Sequence, residues 1–332
     1  MTEKLLTKAS VLNYLRARGI IGESAAEARL LGGGVSNVVI AVTQGEKRLV
    51  LKQALPKLRV ETEWLAPVER VITEGKAIDV ASRILGTGAV LRDSDDSRFT
   101  ITMDRADDGW GDWKSILFAH TVQAKTAAEV GRQIALIHGN TRGGEDLDSD
   151  FFRTEPFELL RLAPYYLATA AAAPAQAQRI LYLAEELRTR RECLVHGDLS
   201  PKNILVGTSP DQVWLIDWEV AHYGDPSFDL AFVITHLTMK SIHFPQDRSA
   251  LDASGDAFTA TYEAVKTGPP PEWDRVIAHV GCLLMARVLG KSPAEYLDAR
   301  GRAAVLEVGR TLVQSSSNNL TDLRTLRDRF IK

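Results

Sequence analysis

Apolar residues recur along the chain with two different periods, and strand-like runs dominate its beginning. Short apolar runs at 38–42 and 48–52 are separated by the turn residues 44–47, and a group of glycines precedes the first run. Apolar runs bounded by turn residues predict β-strands, here joined as an antiparallel meander. Two further runs, 89–91 and 99–103, flank a polar turn and predict another hairpin.

Beyond these strands the apolar residues follow helical spacing, which predicts a series of helices. The predicted helices are 10–18, 68–85, 126–138, 165–187 with a break near Pro174, 258–266, 273–289, 293–312 and 320–330. The strand-rich part ends near Asp104. We therefore predict an α+β, bilobal protein. Its lobes would be residues 1–104, an antiparallel sheet with a helix, and 105–332, larger and mainly helical.

Composition narrows the range of partners. The 332 residues carry 40 basic and 43 acidic side chains, a net charge of −3, which favours neither nucleic acid nor an anionic membrane. No uncharged apolar run reaches the roughly 18 residues of a membrane span. The two cysteines, Cys193 and Cys282, do not suggest a disulfide framework. We expect a cytoplasmic protein, a monomer or homodimer, whose partner is a small molecule.

The densest group of polar residues surrounds two apolar runs, 204–206 and 213–216, whose turn connection predicts a hairpin. This hairpin would bring Asp198, Asn203 and Asp217 around one small volume. The His-x-Asp-x4-Asn spacing followed by a strand-borne aspartate is typical of a proton acceptor beside oxygen ligands for magnesium. Phosphoryl transfer from ATP needs these parts. We therefore predict Asp198 as the catalytic base and Asn203 and Asp217 as Mg²⁺ ligands.

A glycine-rich turn in the first lobe is a candidate phosphate-binding loop. Glycine has no Cβ, so the main chain can approach a phosphate closely and donate its N–H groups. A strand follows the turn, which excludes a dinucleotide-binding fingerprint because that motif opens a helix. The predicted nucleotide-binding residues of the turn are Gly32, Gly33, Gly34, Ser36 and Asn37.

Lys52 ends an apolar strand close after this turn and is predicted to hold the phosphates of ATP. Glu74, on the following predicted helix, is the expected ion-pair partner of Lys52. The rival carboxylates for this role are Glu61, Glu63 and Glu69. The connector after the last strand is also expected to contact the nucleotide, through Met103, Asp104 and Ala106.

Four further residues have predicted roles in the second lobe. His196 is expected to pack beneath the catalytic loop and bond its backbone, and Asp229, at a helix start, is expected to accept hydrogen bonds from backbone donors. Trp113, in a Gly- and Trp-rich loop, is a candidate substrate contact, although a tryptophan near a helix start also suits a packing anchor. Arg287 lies on the apolar stripe of its predicted helix, where an arginine either binds an anionic or hydroxyl-rich partner or extends its charged end to water. Arg287 is therefore a candidate substrate-binding residue.

These motifs resemble the aminoglycoside phosphotransferase and choline kinase superfamily, small-molecule kinases with a protein-kinase-like fold. The segments that carry the resemblance are 32–34, 51–52, 196–203, 216–219 and 225–231. The resemblance implies ATP and Mg²⁺ as cofactors. It also implies transfer of the γ-phosphoryl group to a hydroxyl of a small molecule.

A more local resemblance is to 5-methylthioribose kinases, carried by residues 32–39 and 52–56 and by the pair Asp217-x-Glu219. This resemblance implies that Glu219 is a further metal ligand, and it adds support for Arg287 as a substrate residue. Asn203 departs from that pattern and follows the antibiotic kinases.

Three substrate classes and two other functions stay open. A sugar-like metabolite would use Arg287, a polycationic aminoglycoside needs an acidic cleft, and choline needs an aromatic cage. The acidic candidates are Asp107, Asp108, Asp112, Glu145, Asp146, Asp148 and Asp150, and the aromatic candidates are Trp218, Tyr223, Tyr165 and Tyr166. A non-catalytic nucleotide-binding module is a different hypothesis, disfavoured by the complete set of motif residues. A protein kinase is a further alternative, disfavoured because no clear activation segment precedes Asp225.

Overall fold

The computed structural model describes residues 5–32, 36–59, 65–314 and 319–331. The chain forms two compact units. Unit 1 comprises Met1–Trp110 and Ile216–Val220, and unit 2 comprises Gly111–Leu215 and Ala221–Lys332. The sequence predicted a boundary after Asp104, whereas the units divide after Trp110. The short segment at 216–220 packs with unit 1, although the strand before it belongs to unit 2.

An antiparallel sheet forms the body of unit 1. Its strands are β1 (Glu27–Leu30), β2 (Asn37–Gln44), β3 (Lys47–Ala54), β4 (Leu91–Asp95) and β5 (Thr100–Asp104), in the spatial order β1-β2-β3-β5-β4. The predicted meander and the predicted second hairpin are therefore both present. Strand β3 is central, and Lys52 on it pairs in register with Val39 and with Ile101.

Two helices accompany this sheet, α1 (Val11–Ala17) and α2 (Arg70–Leu85). Helix α1 buries Val11 and Leu15 in one hydrophobic cluster with Ile40 and Leu51 of the sheet. These residues have no exposed surface. Removing such side chains from water is the main force that holds a helix on a sheet.

Unit 2 is mainly helical. Its α-helices are α3 (Trp113–Phe118), α4 (Ala124–Asn140), α5 (Glu155–Phe157), α6 (Ala168–Ala172), α7 (Ala177–Thr189), α8 (Ser227–His243), α9 (Arg248–Val265), α10 (Trp273–Leu289), α11 (Ala299–Gln314) and α12 (Leu320–Phe330). A π-helix, Glu158–Leu167, joins α5 to α6. The α+β fold class predicted from the sequence is confirmed.

Short antiparallel strands position the loops of unit 2. Strand β6 (Gly111–Asp112) pairs with β8 (Ile204–Val206), which pairs with β9 (Val213–Leu215). Strand β7 (Cys193–Val195) pairs with β10 (His222–Gly224). The predicted hairpin therefore forms as β8 and β9, and β7 leads directly into residues 196–203.

Helices α4 and α9 pack at very short range because a glycine faces the partner backbone. A Cβ built on Gly131 of α4 would lie 2.4 Å from the carbonyl oxygen of Phe258 on α9. Real Cβ atoms do not approach a backbone atom so closely, so this helix pair depends on the absence of a side chain at residue 131.

Several predicted helices differ in extent from the observed ones. The predicted helix 258–266 is only the second half of α9, Arg248–Val265. The predicted helix 293–312 begins only at Ala299, and the residues before it form a loop. The predicted helix 165–187 is interrupted near Pro174 as expected, but its first part belongs to a longer helical run, from Glu155 to Ala172, and its second part is α7, from Ala177 to Thr189. Apolar spacing alone does not distinguish a helix from the apolar loop that precedes it. Within the described part of the chain, no helix is long and apolar enough to cross a membrane.

Candidate functional site

The loop after β7 carries Asp198, and its shape is set by hydrogen bonds to Asp229. Asp229 lies in the first turn of α8 and is fully buried. Its carboxylate accepts hydrogen bonds from the N–H of His196 at 2.7 Å and from the N–H of Gly197 at 2.8 Å. Gly197 has φ +76°, a conformation that glycine adopts at low cost. Asp229 therefore has the predicted role of an acceptor for backbone donors.

Two histidines complete the support of this loop. His138 contacts the Asp229 carboxylate through Nε2 at 3.2 Å. Burial raises the pKa of Asp229, but His138 and the backbone N–H of His196 outweigh that effect and the net pKa is lowered. His196 is fully buried, and its Nδ1 accepts a hydrogen bond from the N–H of Asp198 at 3.2 Å. His196 thus packs beneath the loop and bonds its backbone, as predicted.

Asp198 is 3% exposed and is surrounded by donors. Arg161, on the π-helix, approaches Asp198 Oδ2 at 2.7 Å through Nη2 and donates from Nε to the carbonyl of Gly197 at 3.1 Å. Asn203 donates from Nδ2 to the same Oδ2 at 2.7 Å, and Lys202 Nζ lies 3.3 Å from it. These donors compensate the buried carboxylate and hold it in one orientation.

Arg161 was not among the predicted site residues. It belongs to a helical stretch of mostly apolar residues, Glu158–Leu167, and it is 8% exposed. A charged residue in such a stretch needs a partner. That reasoning indicates a buried ion pair at Arg161, but the partner, Asp198, is distant in the sequence and follows only from the fold.

Unit 1 holds a separate group of charged residues around Lys52. The Lys52 ammonium lies 2.5 Å from Glu74 Oε1 and 2.8 Å from Asp217 Oδ1. Burial lowers the pKa of Lys52, but the carboxylates of Asp217 and Glu74 outweigh it, so the net pKa is raised and the ammonium stays charged. The predicted ion pair with Glu74 is therefore present. Of its rivals, Glu61 and Glu63 lie outside the described residues, and Glu69 lies at the start of α2 without such a contact.

The segment Ile216–Val220 brings two carboxylates to unit 1. Asp217 has φ +69°, which is unusual for a residue other than glycine and is found most often at functional positions. Glu219 Oε2 accepts hydrogen bonds from Arg70 Nε and from Asn37 Nδ2, both at 3.2 Å. Arg70, which the sequence reasoning missed, also donates to the carbonyls of Ser36 and Leu55.

The other predicted nucleotide residues differ in how the structure places them. Gly32 is exposed, and Gly33 and Gly34 lie outside the described residues. Ser36 and Asn37 are 7% and 3% exposed. Of the connector residues, Met103 is buried, Ala106 is partly exposed, and the Asp104 carboxylate is bound by Arg92 at 2.7 Å.

A cavity of about 570 Å³ opens in unit 2 beside the loop that carries Asp198. It is lined by residues from the loop, from α3, α8 and α10, from the π-helix and from the segment before α11. The lining residues are Lys114, Ser115, Phe118, Tyr165, Asp198, Ser200, Pro201, Lys202, Phe232, His236, Lys240, Arg287, Ser292, Pro293, Glu295 and Tyr296. Two predicted substrate residues, Asp198 and Arg287, therefore line one cavity.

Residues 27–267 match the family model described as phosphotransferase enzyme family. The chain belongs to the phosphotransferase enzyme family. Methylthioribose kinase of Bacillus cereus is 24% identical over 388 residues, covering 98% of this chain and 96% of the relative. 4-Hydroxytryptamine kinase of Psilocybe cyanescens is 26% identical over 269 residues, covering 70% and 73%. The relatives are kinases, and the resemblance predicted from the motifs is confirmed.

A solved structure with the same fold is a putative aminoglycoside phosphotransferase from Ralstonia eutropha. It covers 98% of this chain and 96% of its own, with a TM-score of 0.56 and 15% identity. At this identity the likeness concerns the fold, which is that of a phosphotransferase. The protein is thus a small-molecule kinase.

Trp113, the third of the predicted substrate residues of this phosphotransferase, does not line the cavity. Trp113 is 1% exposed and packs inside unit 2, whereas its neighbour Lys114 lines the cavity. An aromatic side chain at a helix start buries a large apolar area, which explains its inward position. Arg287 does line the cavity, where its Nη1 donates to Ser292 Oγ at 2.9 Å.

The acidic and aromatic residues proposed for other substrates do not gather in this cavity. Of the predicted aromatic cage only Tyr165 lines it; Tyr166 is buried and bonded to His279, and Trp218 belongs to unit 1. None of the predicted acidic residues lines it, and Asp112 caps the start of α3. Neither predicted recognition surface therefore forms here.

The predicted metal ligands Asn203, Asp217 and Glu219 all have side-chain oxygen atoms. Within the described ranges, no three His, Cys, Asp or Glu side chains form a ready metal cluster. Asn203 uses only Nδ2 in its hydrogen bonds to Asp198, so its amide oxygen is directed elsewhere and suits a hard cation. Asp217 presents a carboxylate, and Glu219 keeps Oε1 while Oε2 is bonded. The chemistry of these donors fits Mg²⁺.

Proposed function

We propose that this kinase transfers the γ-phosphoryl group of ATP, with Mg²⁺, to a hydroxyl group of a sugar-like small molecule. The observation that carries the proposal is Asp198. Its carboxylate is almost completely buried and oriented by Arg161 and Asn203, yet it lines a cavity that is large enough for a small hydroxyl compound. Oriented carboxylates in such positions accept protons in phosphoryl transfer.

In this proposal the acceptor binds in the unit 2 cavity with its hydroxyl facing the Asp198 carboxylate, which Arg161 and Asn203 hold in place. The hydroxyl oxygen attacks the γ-phosphorus, the bond to the β,γ-bridging oxygen breaks, and ADP leaves. The hydroxyl proton passes to Asp198. Arg161 keeps the carboxylate in place before and after it takes the proton.

The phosphates of ATP are assigned to unit 1. Lys52 would hold them, and Glu74 and Asp217 keep that ammonium charged and oriented. The glycine turn with Ser36 and Asn37 would contribute backbone donors. Asn203 and Asp217 are the proposed Mg²⁺ ligands, with Glu219 as a third through Oε1. When bound, the ion would neutralise phosphate charge.

The base assignment is tested with Asp198→Asn, which preserves the shape of the side chain and its ability to accept a hydrogen bond from Arg161. We expect ADP formation in the presence of acceptor to fall by at least about 10³-fold, because a positioned base contributes about 10²–10⁴-fold. ATP affinity, measured by calorimetry, should stay within about threefold. Turnover close to wild type would remove Asp198 from the mechanism.

The metal assignment is tested with Asp217→Asn. We expect Mg²⁺-dependent ATP affinity to fall by about 10–100-fold, because a carboxylate ligand is exchanged for a neutral one. Affinity measured without Mg²⁺ should change much less. The matched control is Asp211→Asn, a surface carboxylate that pairs with Lys125. Unchanged Mg-ATP affinity in Asp217→Asn would show that the ion binds elsewhere.

The rival hypothesis of a non-catalytic nucleotide-binding module is decided by the same assays. Tight Mg-ATP binding without ADP formation across a broad panel of hydroxyl compounds would favour it. The panel should include methylthioribose, aminoglycosides, choline and amino sugars, the substrate classes that the resemblances suggest.

A further inference from the structure

Lys240 is a cavity residue that the mechanism does not use. It lies on α8 one turn after His236, which lies one turn after Phe232, and these three side chains line the cavity as one stripe. Lys240 is 1% exposed. Lysine is almost never buried to this extent without a partner.

No carboxylate in the described part of the chain lies within ion-pair distance of the Lys240 ammonium. Its neighbours are aromatic faces: Nζ lies 5.9 Å from the ring centre of Phe118 and 5.8 Å from that of Tyr296. Cation–π contacts offset only part of the cost of removing an ammonium from water. The charge on Lys240 is therefore poorly compensated by the protein itself.

Other cations surround this position. Burial, together with the charges of Lys114 and Arg287, lowers the pKa of Lys240 to about 7, and only Asp112 acts in the opposite direction. The same two cations contribute to lowering the pKa of His236, after burial, so this imidazole is neutral. A buried ammonium at Lys240 is therefore unfavourable for folding. Residues that lower stability in this way are often functional.

The cavity wall as a whole has an excess of positive charge. Its cations are Lys114, Lys202, Lys240 and Arg287, and its acids are Asp198 and Glu295. Asp198 is already paired with Arg161 and Lys202.

Three polar atoms of cavity-lining residues have no hydrogen-bond partner in the described chain. Among the described residues, Ser200 Oγ, Arg287 Nε and Tyr296 Oη are buried without a hydrogen bond. Buried polar groups in native proteins are normally hydrogen-bonded, and each of these three groups can donate a hydrogen bond to an accepting ligand.

We propose that the acceptor substrate of this phosphotransferase carries an anionic group, a carboxylate or a phosphate, which binds Lys240 and Arg287 while its hydroxyl faces Asp198. The inference rests on the proposed function, because it concerns the substrate of that reaction. It adds the substrate class: a hydroxy acid or a phosphorylated hydroxyl compound rather than a neutral sugar or a cation.

The same observations disfavour the cationic substrates. A quaternary ammonium group is bound by aromatic faces, but the faces of Phe118 and Tyr296 are already occupied by Lys240. An aminoglycoside would place further positive charges beside Lys114 and Arg287. Like charges in a partly buried site cost affinity, so this cavity selects against both.

The test compares acceptors that share one polyol skeleton and differ in one group: hydroxyl, amine, carboxylate or phosphate. ADP formation is measured for each. We expect kcat/KM to be at least about tenfold higher for an anionic member than for the neutral one. The comparison of the carboxylate acceptor with the phosphate acceptor shows which of the two anionic groups the cavity prefers.

Three variants test whether Lys240 binds the anionic group: Lys240→Met, Lys240→Arg and the control Lys125→Met. Lys240→Met should raise KM for the preferred anionic acceptor at least about tenfold with little change in kcat, and it should leave the neutral acceptor unchanged. Lys240→Arg should restore much of the loss. Lys125 lies outside the cavity and pairs with Asp211, so Lys125→Met should behave as wild type.

Thermal unfolding gives a readout that does not depend on turnover. Lys240→Met should raise Tm at pH 7, because it removes a poorly compensated buried charge. The anionic acceptor should raise Tm of the wild type and not that of Lys240→Met. A structural role for Lys240 predicts the reverse, a lower Tm and an unchanged response to the anion.

The outcomes separate the two proposals. Equal kcat/KM for neutral and anionic acceptors, unaffected by Lys240→Met, overturns the anionic substrate and leaves phosphoryl transfer in place. No ADP formation with any acceptor, together with Lys240-dependent stabilisation by the anion, overturns the proposed function and supports the anion site.

Discussion

Arg161 is the side chain on which the geometry of Asp198 depends. It contacts the carboxylate at 2.7 Å and the carbonyl of Gly197 at 3.1 Å, so one guanidinium holds both the proposed base and its loop. Arginine suits this role because its donors form a rigid fork and stay charged at all relevant pH values. Arg161 acts through Asp198 and is therefore a positioning residue.

We predict that Arg161→Met lowers kcat by about 10–100-fold, since a small displacement of a catalytic group can cost about 10²-fold. KM for the acceptor should change little, because Arg161 contacts Asp198 and its loop. Arg161→Lys should recover part of the rate. A raised KM with an unchanged kcat would contradict the positioning role of Arg161.

The sequence predicts the role of a site residue when the residues that act together lie close to one another in the chain. Asp198 and Asn203 lie five residues apart in one loop, and Arg287 was indicated by its position on an apolar stripe. Arg161 and Arg70 were not, because their partners come from other elements and only the fold brings them together. Lys240 had a local signal, the spacing of Phe232, His236 and Lys240, which sequence reasoning did not use.

At the scale of elements, the helix pair α4 and α9 gives a direct test of the packing. We predict that Gly131→Ala destabilises unit 2 by about 1–3 kcal/mol, the usual cost of overpacking, because the added Cβ would meet the Phe258 carbonyl at 2.4 Å. The midpoint of denaturant unfolding, at unchanged m, measures the effect.

The matched control lies on the same helix pair. A Cβ on Gly255 of α9 would have its nearest contact at 3.4 Å, with the flexible Arg324 side chain. Gly255→Ala should therefore be neutral or stabilising by up to about 1 kcal/mol, since alanine is favoured over glycine in helices. Equal effects of the two variants would contradict the close contact at Gly131.

Element types followed from the sequence more reliably than element ends. Strand β3 was predicted as 48–52 and spans Lys47–Ala54; helix α2 was predicted as 68–85 and spans Arg70–Leu85. Both have a strong local pattern. The segment 293–298 was assigned to a helix but forms part of the cavity wall before α11. Tyr296 of this segment contacts His243 of α8, and the N–H of Ala294 donates to the carbonyl of Arg287 on α10. Such contacts with distant elements leave no pattern in the local sequence.

At the scale of the whole molecule, stability should depend on pH through a histidine buried in unit 2. His279 on α10 is fully buried, and its Nδ1 is hydrogen-bonded to the hydroxyl of Tyr166 at 2.9 Å. Burial, with the charges of Arg179 and Arg190, lowers the pKa of His279 to about 3. The folded protein therefore keeps this imidazole neutral under mildly acidic conditions, whereas the unfolded chain does not.

The sign of the effect follows from proton binding. Below about pH 6.5 the unfolded chain protonates His279, while the folded chain binds this proton only near pH 3. The stability contributed is thus complete above about pH 6.5 and is lost as pH falls towards 3, at up to about 1.4 kcal/mol per pH unit. We predict that His279→Gln is less stable than wild type at pH 7.5 but loses stability less steeply between pH 6 and 5.

Tyr166→Phe separates the hydrogen bond from the proton. This variant removes the same bond and keeps the titratable imidazole, so its free energy of unfolding should be lowered by about 1 kcal/mol at each pH with the wild-type slope retained. The free energy of unfolding from denaturant curves at each pH measures both variants. If His279→Gln and Tyr166→Phe gave the same slope as wild type, acid sensitivity would have to come from other groups, and the buried neutral imidazole would not limit stability.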